Sequence, residues 1–197
     1  MAVGVSIAVG GLWYWRQWSA REAERQANNR EKLAECEAGF GADALRVLQG
    51  LESEGYRPWI RESWRAPAEQ ERAYEAGRSE IKLGFHNVTG KGGERRAFAV
   101  DVVERMDVAG TDPRYAVALA RLAGANGMQT GIAWGLMGAE RRAIEDGVRN
   151  RERRVNKYLK LGWDPCHVEP RNLRLQEALV RAGASVAGEN QESVTAR

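Results

Sequence analysis

The octet Gly162–Glu169 contains residue types that can carry out hydrolytic chemistry. Two acids, Asp164 and Glu169, flank His167 at spacings of three and two residues. Residues two apart on a strand share a face, so a strand here would point His167 and Glu169 the same way. Asp164 would lie at the turn into that strand, close to whatever the imidazole binds. The octet therefore predicts a metal ligand beside a catalytic carboxylate at a strand end.

His86 is the other histidine of the chain, which has only two. It lies in a glycine-rich loop, and the clearest predicted strand, Ala97–Val103, follows it. Alternation along that strand puts Asp101 on a face shared with small alanines, where a buried carboxylate needs a partner. Two kinds of partner stay open for Asp101. One is a metal ion, and the other is an arginine such as Arg65, Arg95 or Arg96.

Length and composition limit the classes of protein that the chain can represent. Its 197 residues, 43% of them hydrophobic, fit one globular domain with appendages. The 30 basic residues are nearly balanced by 27 acidic ones, so we expect no nucleic-acid partner, and we expect a monomer. Cys36 and Cys166 do not imply a disulfide framework. For Cys166 a small buried thiol is favoured over a soft metal ligand.

The chain divides into four predicted parts. Residues 1–18 form an apolar segment that favours a signal or membrane anchor, although its fifteen uncharged residues fall short of the roughly 20 that span a bilayer. A poorly ordered tail is the alternative for this segment. Residues 19–41 are charged and predict a solvated helical connector. Residues 42–184 form the main domain, and residues 185–197 form a flexible tail.

Periodicity and turn residues place the secondary structure of the main domain. Helices are predicted where apolar residues recur at helical spacing, and strands where they alternate. The predicted helices begin at Ala42 and Pro113 and span Pro67–Ala76, Glu140–Lys160 and Asn172–Ala182. The predicted strands are Tyr56–Trp64, Ala97–Val103, Thr130–Leu136 and the strand of the octet.

The helix Glu140–Lys160 carries eight basic and four acidic residues. Its basic face is an alternative functional surface, for an anionic polymer. That alternative predicts that Arg141, Arg142, Arg153 and Arg154 matter for function while His86 does not. A charge-rich helix face is more often simply solvated.

The order of these motifs resembles a known family. His86, Asp101 and the run Asp164-x-x-His167-x-Glu169, preceded by Ser63-Trp64-Arg65 and Gln70, are similar to the zinc D-Ala-D-Ala carboxypeptidase family. That family includes the vancomycin-resistance-type carboxypeptidases and the L-alanyl-D-glutamate endopeptidase domains of phage endolysins. The resemblance covers residues 45–169 and implies an α+β fold with a small, mainly antiparallel sheet and packed helices.

The chain departs from the family pattern in three places. Fourteen residues separate His86 from Asp101, which is a longer interval than usual. Gly84 stands where the family has a serine. The insertion 138–160 before the octet is also longer than usual, and it is expected to shape a different cleft.

The resemblance also implies a role for each site residue. His86, Asp101 and His167 would bind zinc, because two imidazoles and one carboxylate leave a fourth position open. Asp164 would act as the general base, and Arg65 would face the oxyanion that develops during hydrolysis. Glu169 would support the ligands rather than bind the metal.

The function implied is hydrolysis of a stem-peptide amide bond of peptidoglycan, by a cell-wall hydrolase of host or phage origin. Both carboxypeptidase and endopeptidase action stay open. The alternative is a non-catalytic module of the same fold that binds the wall or a partner. The expected location is the cell envelope, periplasm or wall, with membrane contact or export through residues 1–18.

Overall fold

The computed structural model describes residues 3–77, 79, 81–105, 112–150, 155 and 158–184. Within this part of the chain there are six α-helices and one antiparallel sheet of four strands, which confirms the predicted α+β class. The helices are α1 (Val3–Ala34), α2 (Ala38–Ser53), α3 (Pro67–Glu75), α4 (Pro113–Ala125), α5 (Gly138–Asn150) and α6 (Leu175–Arg181). The strands are β1 (Pro58–Glu62), β2 (Val100–Glu104), β3 (Met128–Gly131) and β4 (Asp164–Pro170), and a 3-10 turn spans Phe85–Asn87. The predicted tail, residues 185–197, lies outside the described residues.

The sheet has the strand order β1-β2-β4-β3, so β2 and β4 are its inner strands. Helices α2 and α4 pack against each other and against the sheet. Apolar side chains from these elements form the main core, among them Leu51, Val100, Val102 and Leu119. A smaller apolar cluster joins α4 to α5. Burial of these side chains holds the two inner strands, and the residues they carry, in one place.

Two predicted helix starts are confirmed. Pro113 begins α4, and the Asp112 side chain caps it by accepting a hydrogen bond of 2.9 Å from the Arg114 N–H. Pro67 begins α3, which ends at Glu75 before Gly77 in a left-handed conformation.

Three predicted strands are too long at one or both ends. The observed strands are Pro58–Glu62 in place of Tyr56–Trp64, Val100–Glu104 in place of Ala97–Val103, and Met128–Gly131 in place of Thr130–Leu136. The residue at the start of the second predicted strand, Ala97, makes a single bridge to Cys36 instead of joining the sheet. The third strand ends at Gly131 because the chain turns there, and the Trp134 N–H closes the turn by donating to the Gly131 carbonyl at 3.1 Å.

Two predicted helices also have different bounds. The C-terminal helix is shorter than predicted and spans Leu175–Arg181. The helix predicted over Glu140–Lys160 starts earlier, at Gly138, and is described to Asn150. Residues 151–154, which include Arg153 and Arg154, lie outside the described residues.

The prediction of a solvated connector over residues 19–41 is wrong in two respects. Helix α2 already begins at Ala38, because the Glu37 side chain caps it by accepting a hydrogen bond of 3.0 Å from the Phe40 N–H. Arg25 and Asn29 of α1 are 1% and 4% exposed and contact β1. Charged and amide side chains make this contact. The sequence therefore has no apolar stripe here from which the contact with β1 could be predicted.

Helix α1 protects the open edge of the sheet. The Asn29 amide accepts a hydrogen bond from the Ile60 N–H and donates one to the Pro58 carbonyl, both at 2.9 Å. Arg25 also donates to the Pro58 carbonyl, and Asn28 donates to the Ile60 carbonyl. These side chains therefore satisfy the outer backbone groups of β1 as a fifth strand would, which prevents edge-to-edge pairing.

Residues 3–18, predicted as an apolar signal or anchor, belong to α1. Among the helices that the structure describes, none combines the length and the apolar run needed to cross a membrane.

We predict that Asn29→Ala lowers the free energy of unfolding by about 2 kcal/mol, because it leaves the buried Ile60 N–H without an acceptor. Urea denaturation followed by circular dichroism measures this change. Arg30→Ala, at an exposed position of the same helix, is the control and should stay within about 0.5 kcal/mol of wild type. Equal stability of Asn29→Ala and wild type would show that α1 does not support the sheet edge.

Candidate metal centre

Three buried side chains meet at the centre of the sheet and form a group that can hold a metal ion: His86, Asp101 and His167. His86 Nε2 and His167 Nδ1 lie 3.2 Å apart, and each is 3.3 Å from Asp101 Oδ1. In a tetrahedral site with bonds of about 2.0–2.1 Å, neighbouring ligand atoms are about 3.3–3.4 Å apart. The three atoms thus have the spacing of three corners of such a site.

The inner strands bring two of the three residues together. Asp101 of β2 and His167 of β4 are directly opposite each other in the antiparallel register. Directly opposite residues have Cβ atoms about 4.5–5.5 Å apart, so their side chains can bind the same metal ion. His86 reaches the same point from the 3-10 turn, where the His86 carbonyl accepts from the Arg65 N–H and the Phe85 carbonyl accepts from the Phe98 N–H.

Hydrogen bonds orient both imidazole rings. His86 Nδ1 lies 2.5 Å from the Ser63 carbonyl, which can only accept, so Nδ1 carries the hydrogen and the Nε2 lone pair faces the group. His167 Nε2 donates to Glu169 at 3.0 Å, which directs Nδ1 inward. Gln129 of β3 holds that carboxylate by a hydrogen bond of 2.8 Å. Partners of this kind are what metal-binding histidines use to set their ring orientation.

The charges in the group are strongly coupled. Burial opposes ionisation of Asp101, but hydrogen bonds from His167 and His86 outweigh it and hold the pKa of Asp101 well below its usual value. Burial likewise opposes the charged form of His167, yet its hydrogen bonds to Asp101 and Glu169 raise its pKa to about 9. A positive charge at this point is therefore stabilised by its surroundings, and a divalent cation can take the place of the proton.

An arginine also contacts Asp101, and it is one that the sequence did not single out. Arg61 lies 3.3 Å from Asp101 Oδ2, which leaves Oδ1 to face the two histidines. It sits at the register shift between Ile60 and Glu62, where a bulge in β1 redirects a side chain. Asp101 therefore has an arginine partner and also lies in the metal-binding group, so the two alternatives do not exclude each other.

Two of the three arginines named as candidate partners from the sequence, Arg65 and Arg95, pair elsewhere. Arg95 forms an ion pair with Glu35 and stacks on Trp64. Arg65 forms an ion pair with Glu62 and donates a hydrogen bond of 2.6 Å to Gln70.

Asp164 lies beside the group. Its Oδ2 is 4.0 Å from His167 Nδ1, and burial, followed by the nearby charge of Asp101, raises its pKa. Rather than preceding the strand, Asp164 begins β4, and it is paired with Gly131 while Val168 is paired with Thr130. The residues between them bulge out of the register, which turns Asp164 toward His167.

Two glycines make this bulge possible. A Cβ on Gly131 would collide with the Asp164 carbonyl, and one on Gly162 would lie 2.5 Å from the Gly131 carbonyl. The backbone approaches itself here more closely than any side chain allows.

The group opens into a cleft of about 620 Å³ that Arg65 and Asp164 also line. Trp134 packs on the His167 ring at 5.2 Å between centroids and on Trp163 at 4.9 Å, which forms an aromatic wall. Further lining residues differ in chemistry: Ile81, Leu83 and Phe85 are apolar, and Gln70 and Ser79 are polar. The cleft thus has the volume and mixed lining of a site for a small ligand or a short peptide.

Cys166 does not belong to the metal-binding group. It is buried, and its Sγ lies 3.2 Å from Arg61 and 3.5 Å from Asp164. Burial is the main reason that the pKa of its thiol rises to about 12. This agrees with the favoured interpretation of a small buried thiol.

The charged surface of α5 contains ion pairs of mixed sign. Arg141 pairs with Glu145, Arg149 with Asp146, and Lys160 with Glu140. Such pairs lower the net positive charge that this surface presents to an anionic polymer.

Comparisons of the chain with models of protein families, with curated proteins and with solved structures gave no match.

We predict that the purified protein binds one divalent metal ion, and that His86→Ala and His167→Ala each lose it, because two ligands cannot hold the ion in a buried site. Metal analysis after zinc loading and desalting measures the occupancy. Trp163→Ala removes a side chain of the same cleft that supplies no donor atom, and it should retain the ion. Full occupancy in either histidine variant would contradict the assignment.

We also predict that neither thiol reacts with Ellman's reagent at pH 8 in the folded protein. Burial raises the pKa of both Cys36 and Cys166 to about 12, so the reactive thiolate is scarce at that pH. Absorbance should report no rapid reaction before urea is added and two thiols afterwards. Rapid labelling of one thiol in the folded state would show that the segment carrying that cysteine opens readily, and peptide mass spectrometry would identify which of the two it is.

Proposed function

We propose that the chain is a zinc-dependent peptidase that hydrolyses an amide bond in the stem peptide of peptidoglycan. The observation that carries this proposal is the metal-binding group of His86, Asp101 and His167, whose imidazole rings are oriented by hydrogen bonds. A fourth side chain, the carboxylate of Asp164, lies 4.0 Å from His167 Nδ1. A peptidase needs both elements, and the cleft brings them within reach of one substrate.

Zinc is the metal that this donor set favours. Two imidazoles and one carboxylate with an open fourth position are typical of catalytic zinc, whereas magnesium and calcium prefer all-oxygen sites. The same three ligands also occur in octahedral iron(II) sites. Ligand atoms at right angles around such an ion would be about 2.8–3.0 Å apart for the same bond lengths of about 2.0–2.1 Å, so the observed 3.2–3.3 Å lies closer to the tetrahedral spacing.

The general base of the proposed reaction is Asp164. When bound, zinc supplies an activated water, because it lowers the pKa of that water to about 7. Asp164 lies on the cleft side of the group, where it can take a proton from the nucleophile and deliver it to the leaving amine. Its raised pKa suits the first of these steps, because a more basic carboxylate accepts a proton more readily.

Arg65 is the proposed electrostatic partner of the substrate. Three of its five N–H donors bind Glu62 and Gln70, and these contacts hold the guanidinium at the cleft. Among the described residues the other two donors have no hydrogen-bond partner, so they can bind a substrate carbonyl oxygen on which negative charge develops.

The choice of peptidoglycan as substrate comes from the motif order, which resembles that of the zinc D-Ala-D-Ala carboxypeptidases and the endolysin endopeptidases. The cleft volume of about 620 Å³ and its aromatic wall of Trp134 and Trp163 are compatible with a short peptide. The proposal places the enzyme in the cell envelope, with residues 1–18 making contact with the membrane or directing export.

We predict that Asp164→Asn retains the metal but hydrolyses peptidoglycan about two to four orders of magnitude more slowly, because the amide cannot accept the proton. Mass spectrometry of muropeptides after digestion measures the rate, and the mass lost also identifies the bond cleaved.

Trp163→Ala serves as the control for a general disturbance of the cleft. Its rate of peptidoglycan hydrolysis should fall less than that of Asp164→Asn. If Asp164→Asn works at the wild-type rate, the base lies elsewhere. If the wild-type protein binds zinc but releases no product from any stem peptide, the alternative of a non-catalytic binding module replaces the enzyme.

A further inference from the structure

Glu35 is a buried carboxylate at the junction of α1 and α2, 6% exposed. It accepts hydrogen bonds from the Ser63 hydroxyl and the Trp64 N–H, and it pairs with Arg95 and Lys32. All these partners converge on one side chain, and the hydroxyl it binds is itself fully buried. A buried network that is satisfied in this way fixes the positions of its members.

The segment that Glu35 binds, residues 63–65, supports His86 directly. The Ser63 carbonyl lies 2.5 Å from His86 Nδ1, and the next residue but one, Arg65, donates its backbone N–H to the His86 carbonyl at 2.9 Å. Asn87 returns a hydrogen bond of 3.0 Å to the Arg65 carbonyl. The segment held by Glu35 is therefore the one that sets both the position and the ring orientation of His86.

The backbone of the same junction reaches the strand that carries Asp101. Ala97 N–H donates to the Glu35 carbonyl at 3.0 Å, and the Ala97 carbonyl accepts from the Glu37 N–H at 2.9 Å. Three residues later β2 begins. The α1–α2 junction thus contacts both the segment that supports His86 and the chain just before the strand that carries Asp101.

We infer that Glu35 is a positioning residue for the metal-binding group: through Ser63 and Trp64 it holds His86 with Nε2 facing Asp101 and His167. This inference rests on the proposed metal site and is independent of which bond, if any, the protein hydrolyses. It assigns a role in the site to one residue of the segment 19–41, whose sequence predicts only a connector.

Cobalt(II) binding tests the inference, because cobalt replaces zinc in such sites and its visible absorption reports the ligand geometry. Glu35→Met keeps a similar length but cannot accept the two hydrogen bonds. We expect its cobalt affinity to fall by about tenfold to a hundredfold, the usual effect of losing an outer partner of a ligand, with a changed visible spectrum. Glu35→Gln keeps one acceptor oxygen, so it should restore the wild-type spectrum and most of the affinity.

Glu37→Gln is the matched control. This neighbouring glutamate caps α2 by accepting from the Phe40 N–H at 3.0 Å and has no side-chain hydrogen bond to Ser63 among those described. It should bind cobalt as the wild type does. All variants are compared at a temperature where circular dichroism shows each one folded.

Wild-type affinity and spectrum in folded Glu35→Met would overturn the inference and leave the proposed function standing. If the wild-type protein itself binds no cobalt and no zinc, the metal site and the positioning role are both refuted. Should Glu35→Met fail to fold, Ser63→Ala takes its place, because it removes the hydroxyl that Glu35 binds and keeps the carbonyl. A several-fold loss of cobalt affinity in Ser63→Ala supports the inference, and unchanged affinity overturns it.

Discussion

The antiparallel pairing of β2 with β4 is the constraint on which the rest of the site depends. It places Asp101 opposite His167 in the buried centre of the sheet, where an ionised carboxylate is costly without a partner. Arg61 stabilises this carboxylate at one oxygen, and the imidazoles of His86 and His167 stabilise it at the other. The same arrangement, three donor atoms 3.2–3.3 Å apart, is one that a tetrahedral metal ion fits.

Hydrogen bonds from outside the group maintain this geometry. The Ser63 carbonyl and the Glu169 carboxylate set the two ring orientations, and each is held in turn by a further side chain, Glu35 or Gln129. These supporting hydrogen bonds extend to α1, which ends next to Glu35. Side-chain amides of the same helix satisfy the outer backbone groups of β1. The N-terminal helix and the site are in this way parts of one hydrogen-bonded structure.

Local signals in the sequence were sufficient to predict the starts of α3 and α4, because a proline at the first helical position marks where a helix begins. The α+β class and the convergence of the two histidines with Asp101 were predicted from the resemblance of the motif order, not from local periodicity. The sequence could not reveal the roles of Arg61, Asn29 and Glu35. Arg61 reaches Asp101 only through a bulge in β1, and bulges leave no residue pattern of their own. Asn29 and Glu35 lie in a charged, glycine-free run that is typical of a solvated helix, and only the tertiary structure shows that their polar groups bind buried backbone and hydroxyl groups.

Zinc K-edge X-ray absorption of the zinc-loaded protein tests the central claim most directly, since it reports the atoms around the ion without reference to any substrate. The account predicts about four nitrogen or oxygen neighbours at roughly 2.0–2.1 Å, with the outer-shell signal of two imidazoles. A sulfur neighbour near 2.3 Å would place Cys166 or Cys36 on the metal. That result, or a six-coordinate shell without imidazole scattering, would contradict the assignment of His86, Asp101 and His167 as the ligands.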